Sequence, residues 1–91
     1  MKTLSGSEAR ALRAKGTKLE AAAVIGKKGL TEENIKIIET AFLKNDLIKI
    51  TIRKSAFDDP KQEAKNIAER FDSQIVQHLG SALLLFRSEE D

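Results

Sequence analysis

The sequence predicts a two-layer α/β (α+β) domain of order α-β-α-β-α-β-β, with three helices and a four-stranded mixed sheet. Helical and strand-like hydrophobic periods alternate along the chain. One hairpin signal, Gly80-Ser81, stands near its end. At 91 residues, 41% apolar and 33% charged, the chain has material for one small core. Strands separated by helices pair in parallel through crossovers, whereas a hairpin pairs antiparallel, so the sheet is mixed. A helix-covered face and a partly polar one make two layers.

The elements follow in order. Ser5 or Ser7 can cap a first helix to about Lys15, with Ala9, Leu12 and Arg13 at helical spacing and Gly16 ending it. Leu19 to Ile25 is too short and too apolar for a surface helix and reads as a buried strand stopped by Gly26, although alanine is a poor strand former. Thr31 caps the second helix, with Leu30 and Ile35 placed as a hydrophobic staple. Ile35, Ile38, Ala41 and Phe42 then share one face, up to about Lys44.

Leu47 to Arg53 alternates, with Ile48, Ile50 and Ile52 on one side and Lys49, Thr51 and Arg53 on the other. That is a half-buried strand with a basic polar face. Asp59 and Pro60 open the third helix as N-cap and first residue, and Ala64, Ile67, Ala68 and Phe71 form its stripe. Gln74 to Leu79 and Ala82 to Arg87 flank Gly80-Ser81, where glycine in the first position favours a type II′ turn. A single domain therefore spans 1–91, with its core over about 5–87 and an acidic tail over 88–91.

Several function classes fall away. The longest run without a formal charge lies between Asp72 and Arg87 and contains Gln74, Gln77, His78 and Ser81. A membrane span needs about 20 mostly apolar residues. Met1 to Leu12 lacks the apolar stretch of a secretory signal, so a cytoplasmic protein is expected. There is no cysteine, hence no disulfide, thiolate nucleophile or Cys-based metal site. His78 has no His or Cys companion and reads as an ordinary strand residue, and Asp58-Asp59 reads as helix capping. The serines lack a nucleophile elbow. The expectation is a binding module with no enzymatic activity, no cofactor and no metal.

The charge is unevenly placed. Residues 1–28 hold seven basic groups against two acidic ones, and residues 29–91 hold nine against twelve. A polyanion is drawn to the N-terminal third.

Gly26-Lys27-Lys28-Gly29 sits there, between a predicted strand and the start of a predicted helix. It has neither P-loop nor Rossmann spacing. Glycines let a backbone approach closely, a helix N-terminus favours an anion, and the two lysines add charge at the same tip. A Gly-x-x-Gly loop used in this way is the nucleic-acid backbone clamp of KH domains. Such turns also join strands to helices without binding anything, and Glu32 and Glu33 compete for the helix dipole. Lys49, Arg53 and Lys54 form a second basic set, with Arg87 at the end of the last strand, although a strand face of this kind can equally be plain solvated surface. Only four rings are present, Phe42, Phe57, Phe71 and Phe86, and Phe42 and Phe71 lie on core stripes. Base-stacking platforms need exposed aromatics, so structured RNA held by its phosphates is the better target.

Five blocks in order now resemble a known family: Leu12 to Gly16, Val24 to Thr31, Asp46 to Ile50, Ile75 to Gly80, and Leu83 to Arg87. Together they are similar to the CRM domain (chloroplast RNA splicing and ribosome maturation), above all its stand-alone bacterial form, the YhbY-like proteins. The resemblance implies a fold similar to the C-terminal domain of translation initiation factor 3. It also implies binding of structured RNA through the Gly-x-x-Gly loop, and association with large-subunit ribosomal precursors. By position, Gly26, Lys27, Lys28 and Gly29 match the family loop. Arg13 and Lys15 match the basic end of the first helix, Lys49 the basic strand position, and Arg87 the closing arginine. Asp46 stands in place of the usual Glu, Gly80-Ser81-Ala82 in place of Gly-Lys-Thr, and Phe86 in place of Tyr. The end of the chain is acidic where many members carry a short basic tail.

The function expected is thus a monomeric RNA-binding ribosome assembly factor using Gly26 to Gly29, Arg13, Lys15, Lys49, Arg53 and Arg87. The alternative is a protein-interaction module docking on a ribosomal or translation partner, with RNA contact incidental.

Overall fold

Each helix begins where a side chain takes over N–H groups that the first turn leaves without an internal partner. In the computed structural model, which describes residues 4–87, Ser5 opens α1 (Gly6–Gly16) with a reciprocal pair: its hydroxyl accepts from Glu8 N and its N–H donates to Glu8 Oε1, both at 3.2 Å. Thr31 opens α2 (Glu32–Lys44) in the same manner with Asn34. Asp59 opens α3 (Pro60–Arg70), its carboxylate accepting from Gln62 N at 3.2 Å, with Pro60 where no N–H is needed.

The end of α3 is equally specific. Asp72 adopts φ +50°, Asp72 N donates to Glu69 O, and Ser73 N donates to Ala68 O. This is the Schellman arrangement, with aspartate where glycine is usual.

Four strands complete the fold: β1 (Ala23–Ile25), β2 (Leu47–Ile52), β3 (Gln74–Leu79) and β4 (Ala82–Phe86), in sheet order β1-β2-β4-β3. β1 and β2 are parallel, and β4 runs antiparallel to both of its neighbours. The hairpin thus inserts its second strand between β2 and β3. Gly80 has φ +60° and Ser81 is not in the left-handed region, as a type II′ turn requires.

The alternation in β2 decides the two faces. Ile48, Ile50 and Ile52 are buried together with Ala23, Ile25, Leu83 and Leu85. Against them lie Ile38 and Phe42 of α2, Ala64, Ile67 and Ala68 of α3, and Phe71. Each large side chain buried in this way contributes about 1.5–3 kcal/mol. Leu84 points to the opposite face, and there α1 lies on the sheet: a Cβ at Gly16 would overlap the Leu84 side chain. The two-layer body thus gains a partial cover on its second face.

Three details differ from the sequence expectation. β1 is three residues long rather than the whole of 19–25, and Glu20 and Ala21 are exposed. The alanines make a weak strand, and ahead of Ala23 the ladder gains one bond, from Ala22 N to Lys49 O at 2.7 Å. β1 is also an edge strand, so Val24 is exposed rather than buried. In β3 the register shifts between Ile75 and Gln77, and the bulge breaks the alternation, leaving Ile75 and Leu79 exposed. The acidic tail lies outside the described residues.

Candidate nucleic-acid interface

β1 and β2 end side by side, and the 26–29 loop leaves from that end. Gly29 N donates to Gly26 O at 2.9 Å, closing a tight turn, and Gly29 has φ +70°. No atom lies within 4 Å of a Cβ at Gly29, so the backbone angle alone calls for glycine there. Lys27 and Lys28 are exposed at the tip.

Arg53 joins them. It lies just past the end of β2, and its N–H donates to Ile25 O at 3.0 Å, which carries the parallel ladder one residue further. Its Cδ comes 3.9 Å from the position of a Cβ on Gly26. Three cations from two separate chain segments therefore meet at one end of the sheet. The hairpin tip is at the same end, since Ile52 N donates to Ser81 O at 2.8 Å, but its residues are uncharged. The Lys54 side chain lies outside the described residues.

The helix terminus behind the loop is already engaged. Thr31 and Asn34 cap each other's N–H groups, and Glu32 and Glu33 occupy the first turn. Anion attraction at this end therefore comes from the loop, its lysines and Arg53 rather than from an open helix start.

The remaining expected site residues are spread out. Lys49 is half-buried on the α1 side of the sheet, its Nζ donating to Leu19 O at 3.3 Å. Arg13 is half-buried and Lys15 exposed in the last turns of α1. Lys15 borders a recess with Lys18 and Lys44, near the start of β2 and thus at the end of the sheet away from the loop. Arg87 is turned inward: Nη1 donates to Phe71 O at 3.1 Å, and the guanidinium lies over Phe42.

Sequence reasoning did not single out Lys18 and Lys44. Lys18 counted only among the seven basic groups of residues 1–28, and Lys44 only as the approximate end of the second helix. Phe42 and Phe71 face each other at 6.3 Å inside the core, so neither offers a stacking surface.

Comparison with known proteins bears on this arrangement. The model of the CRS1 / YhbY (CRM) domain family matches residues 4–87. The chain is 35% identical over 89 residues to Probable RNA-binding protein MJ0652 of Methanocaldococcus jannaschii, covering 96% of this chain and 66% of that protein. It is 28% identical over 88 residues to Probable RNA-binding protein YqeI of Bacillus subtilis, covering 97% and 92%. The solution structure of Staphylococcus aureus SAV1595 superposes with a TM-score of 0.80 at 31% identity, over 98% of this chain and 93% of that one.

Proposed function

The chain belongs to the CRS1 / YhbY (CRM) domain family, and on that footing we propose that it is a cytoplasmic RNA-binding protein acting on precursors of the large ribosomal subunit, a binding protein rather than an enzyme. The observation behind this reading is the meeting of Lys27, Lys28 and Arg53 around a turn whose glycines leave the backbone open to a phosphate. Lysine and arginine would neutralise phosphates, and the absence of a Cβ at 26 and 29 would let the RNA backbone sit against the turn. Lys49, Arg13 and Lys15 would extend the contact along the α1 side. Arg87 is left out of this reading, because its guanidinium is engaged by Phe71 O and Glu39.

The test is binding to large-subunit ribosomal RNA across a salt series, comparing the native protein with the Lys27→Glu, Lys28→Glu double variant after both are shown to be folded. If about three to five phosphates are neutralised, log K falls with log salt at a slope of roughly −2 to −4. The double variant should bind much more weakly with a shallower slope. Equal binding by both proteins would remove the loop from the interface. No RNA binding by either would leave docking on a protein partner as the better reading.

A further inference from the structure

We propose that the recess at the far end of the sheet from the 26–29 loop takes a single unstacked nucleotide of the bound RNA. The inference rests on the RNA-binding reading and adds a second, base-accepting contact to it.

The recess has a volume of about 560 Å³, within the range of small-ligand sites. Its floor is apolar. Leu47 and Phe86 are direct cross-strand partners on β2 and β4 and form one patch on the α1 face of the sheet. Leu12 of α1 and Leu19 from the connection to β1 also line it.

The rim is cationic. Lys15 and Lys18 border the recess from the α1 side and Lys44 from the end of α2, with Asp46 as the countercharge among the lining residues. Among the described residues, none of the three lysines holds an ion pair. Lys49 stands nearby through its bond to Leu19 O. Helix dipoles account for Lys15 and Lys44, which lie in last turns, but not for Lys18, which lies beyond α1. Nor do they account for an aromatic ring among the residues lining the same recess.

An apolar floor containing a ring, bordered by three lysines, suits a ligand with a planar apolar part and an anionic part. A nucleotide has both. An acidic peptide would use the rim and leave Phe86 without a planar partner. A fully paired duplex would present phosphates but no base. The occupant is therefore a bulged, looped or terminal nucleotide whose base leaves its stack, as single-stranded RNA readers require.

Two measurements test the inference. The first uses two RNA hairpins that differ only by one bulged adenosine. The native protein should bind the bulged hairpin about tenfold more tightly, as one base stacked on protein warrants. The Lys18→Ala, Lys44→Ala variant should bring the two affinities within about twofold. The Lys27→Glu, Lys28→Glu variant should weaken both hairpins and keep their ratio, so failure of the loop and failure of the recess give different results. Equal binding of both hairpins by the native protein would overturn the inference, as would an unchanged ratio in the Lys18→Ala, Lys44→Ala variant.

The second measurement does not depend on the choice of RNA. Adenosine monophosphate should shift the NMR signals of Leu12, Leu19, Leu47 and Phe86, including the Phe86 ring, whereas inorganic phosphate should move only the lysine rim. Identical shifts with both ligands would reduce the recess to an anion contact and overturn the base-accepting role.

Discussion

The guanidinium carbon of Arg87 lies 4.4 Å from the centre of the Phe42 ring, and the same group donates to Phe71 O and approaches Glu39 at 3.5 Å. One side chain beyond the last strand thus ties β4 to the turn after α3 and to α2. A charged donor on a carbonyl contributes about 1.5–3 kcal/mol and the ring contact about 0.5–1 kcal/mol, while the Glu39 pair, being partly exposed, adds little.

The first prediction follows directly. Arg87→Ala should lower stability by about 2 kcal/mol, read as a shift in the urea midpoint, and leave the RNA affinity of the folded protein within about twofold. Arg87→Lys should recover only part of the stability, because an ammonium cannot lie over Phe42 and reach Phe71 O with a planar fork. A large loss of RNA affinity with unchanged stability would return Arg87 to the interface.

Gly16 of α1 lies directly against the Leu84 side chain of β4. Gly16→Ala should cost about 1–3 kcal/mol, since both positions are buried and the added methyl has no space. Combined with Leu84→Ala, the loss should be smaller than the sum of the two single losses, as expected for residues in contact. Additive losses, measured by thermal unfolding of all four proteins, would mean that α1 does not rest on Leu84.

Asp72 holds a left-handed conformation that favours glycine. Asp72→Gly should therefore raise stability by about 0.5–1 kcal/mol while leaving the Schellman hydrogen bonds in place. Chemical denaturation reads this gain. Unchanged or reduced stability would show that the aspartate side chain does more than tolerate the turn.

Gly29 faces open space with φ +70°. Gly29→Ala should cost about 1 kcal/mol through backbone conformation alone, and Gly29→Asn should cost less. RNA affinity at low salt should fall with the alanine variant, because the Gly29 to Gly26 hydrogen bond that shapes the tip would be strained. Unaltered affinity would show that the lysines act without a shaped turn.

The features legible in the amino-acid order are local. Ser5, Thr31 and Asp59 announce helices because each cap reaches a backbone group three residues away. Ile48, Ile50 and Ile52 announce a half-buried strand through their spacing, and Gly80-Ser81 announces the hairpin through one backbone angle. The Gly26 to Gly29 loop was legible for the same reason, as glycines and lysines in four consecutive positions. The overlong first strand came from setting the apolar run above alanine's weak strand preference, and the strand's place at the sheet edge leaves no local trace.

Long-range placement was decided elsewhere. Lys49 meets Leu19 across 30 positions and Arg87 meets Glu39 across 48, and neither spacing leaves a periodic trace. Arg53 beside Gly26, β4 between β2 and β3, and α1 on the second face are likewise products of packing. The amino-acid order by itself determined the elements, their caps and turns, the charge asymmetry and the family, because those depend on neighbours a few residues apart. Only the tertiary structure decided which cations share a surface, that Arg87 reaches Phe71 O and the Phe42 ring, and that Lys15, Lys18 and Lys44 line one recess with Leu47 and Phe86. Those outcomes depend on which faces the burial of apolar side chains brings together.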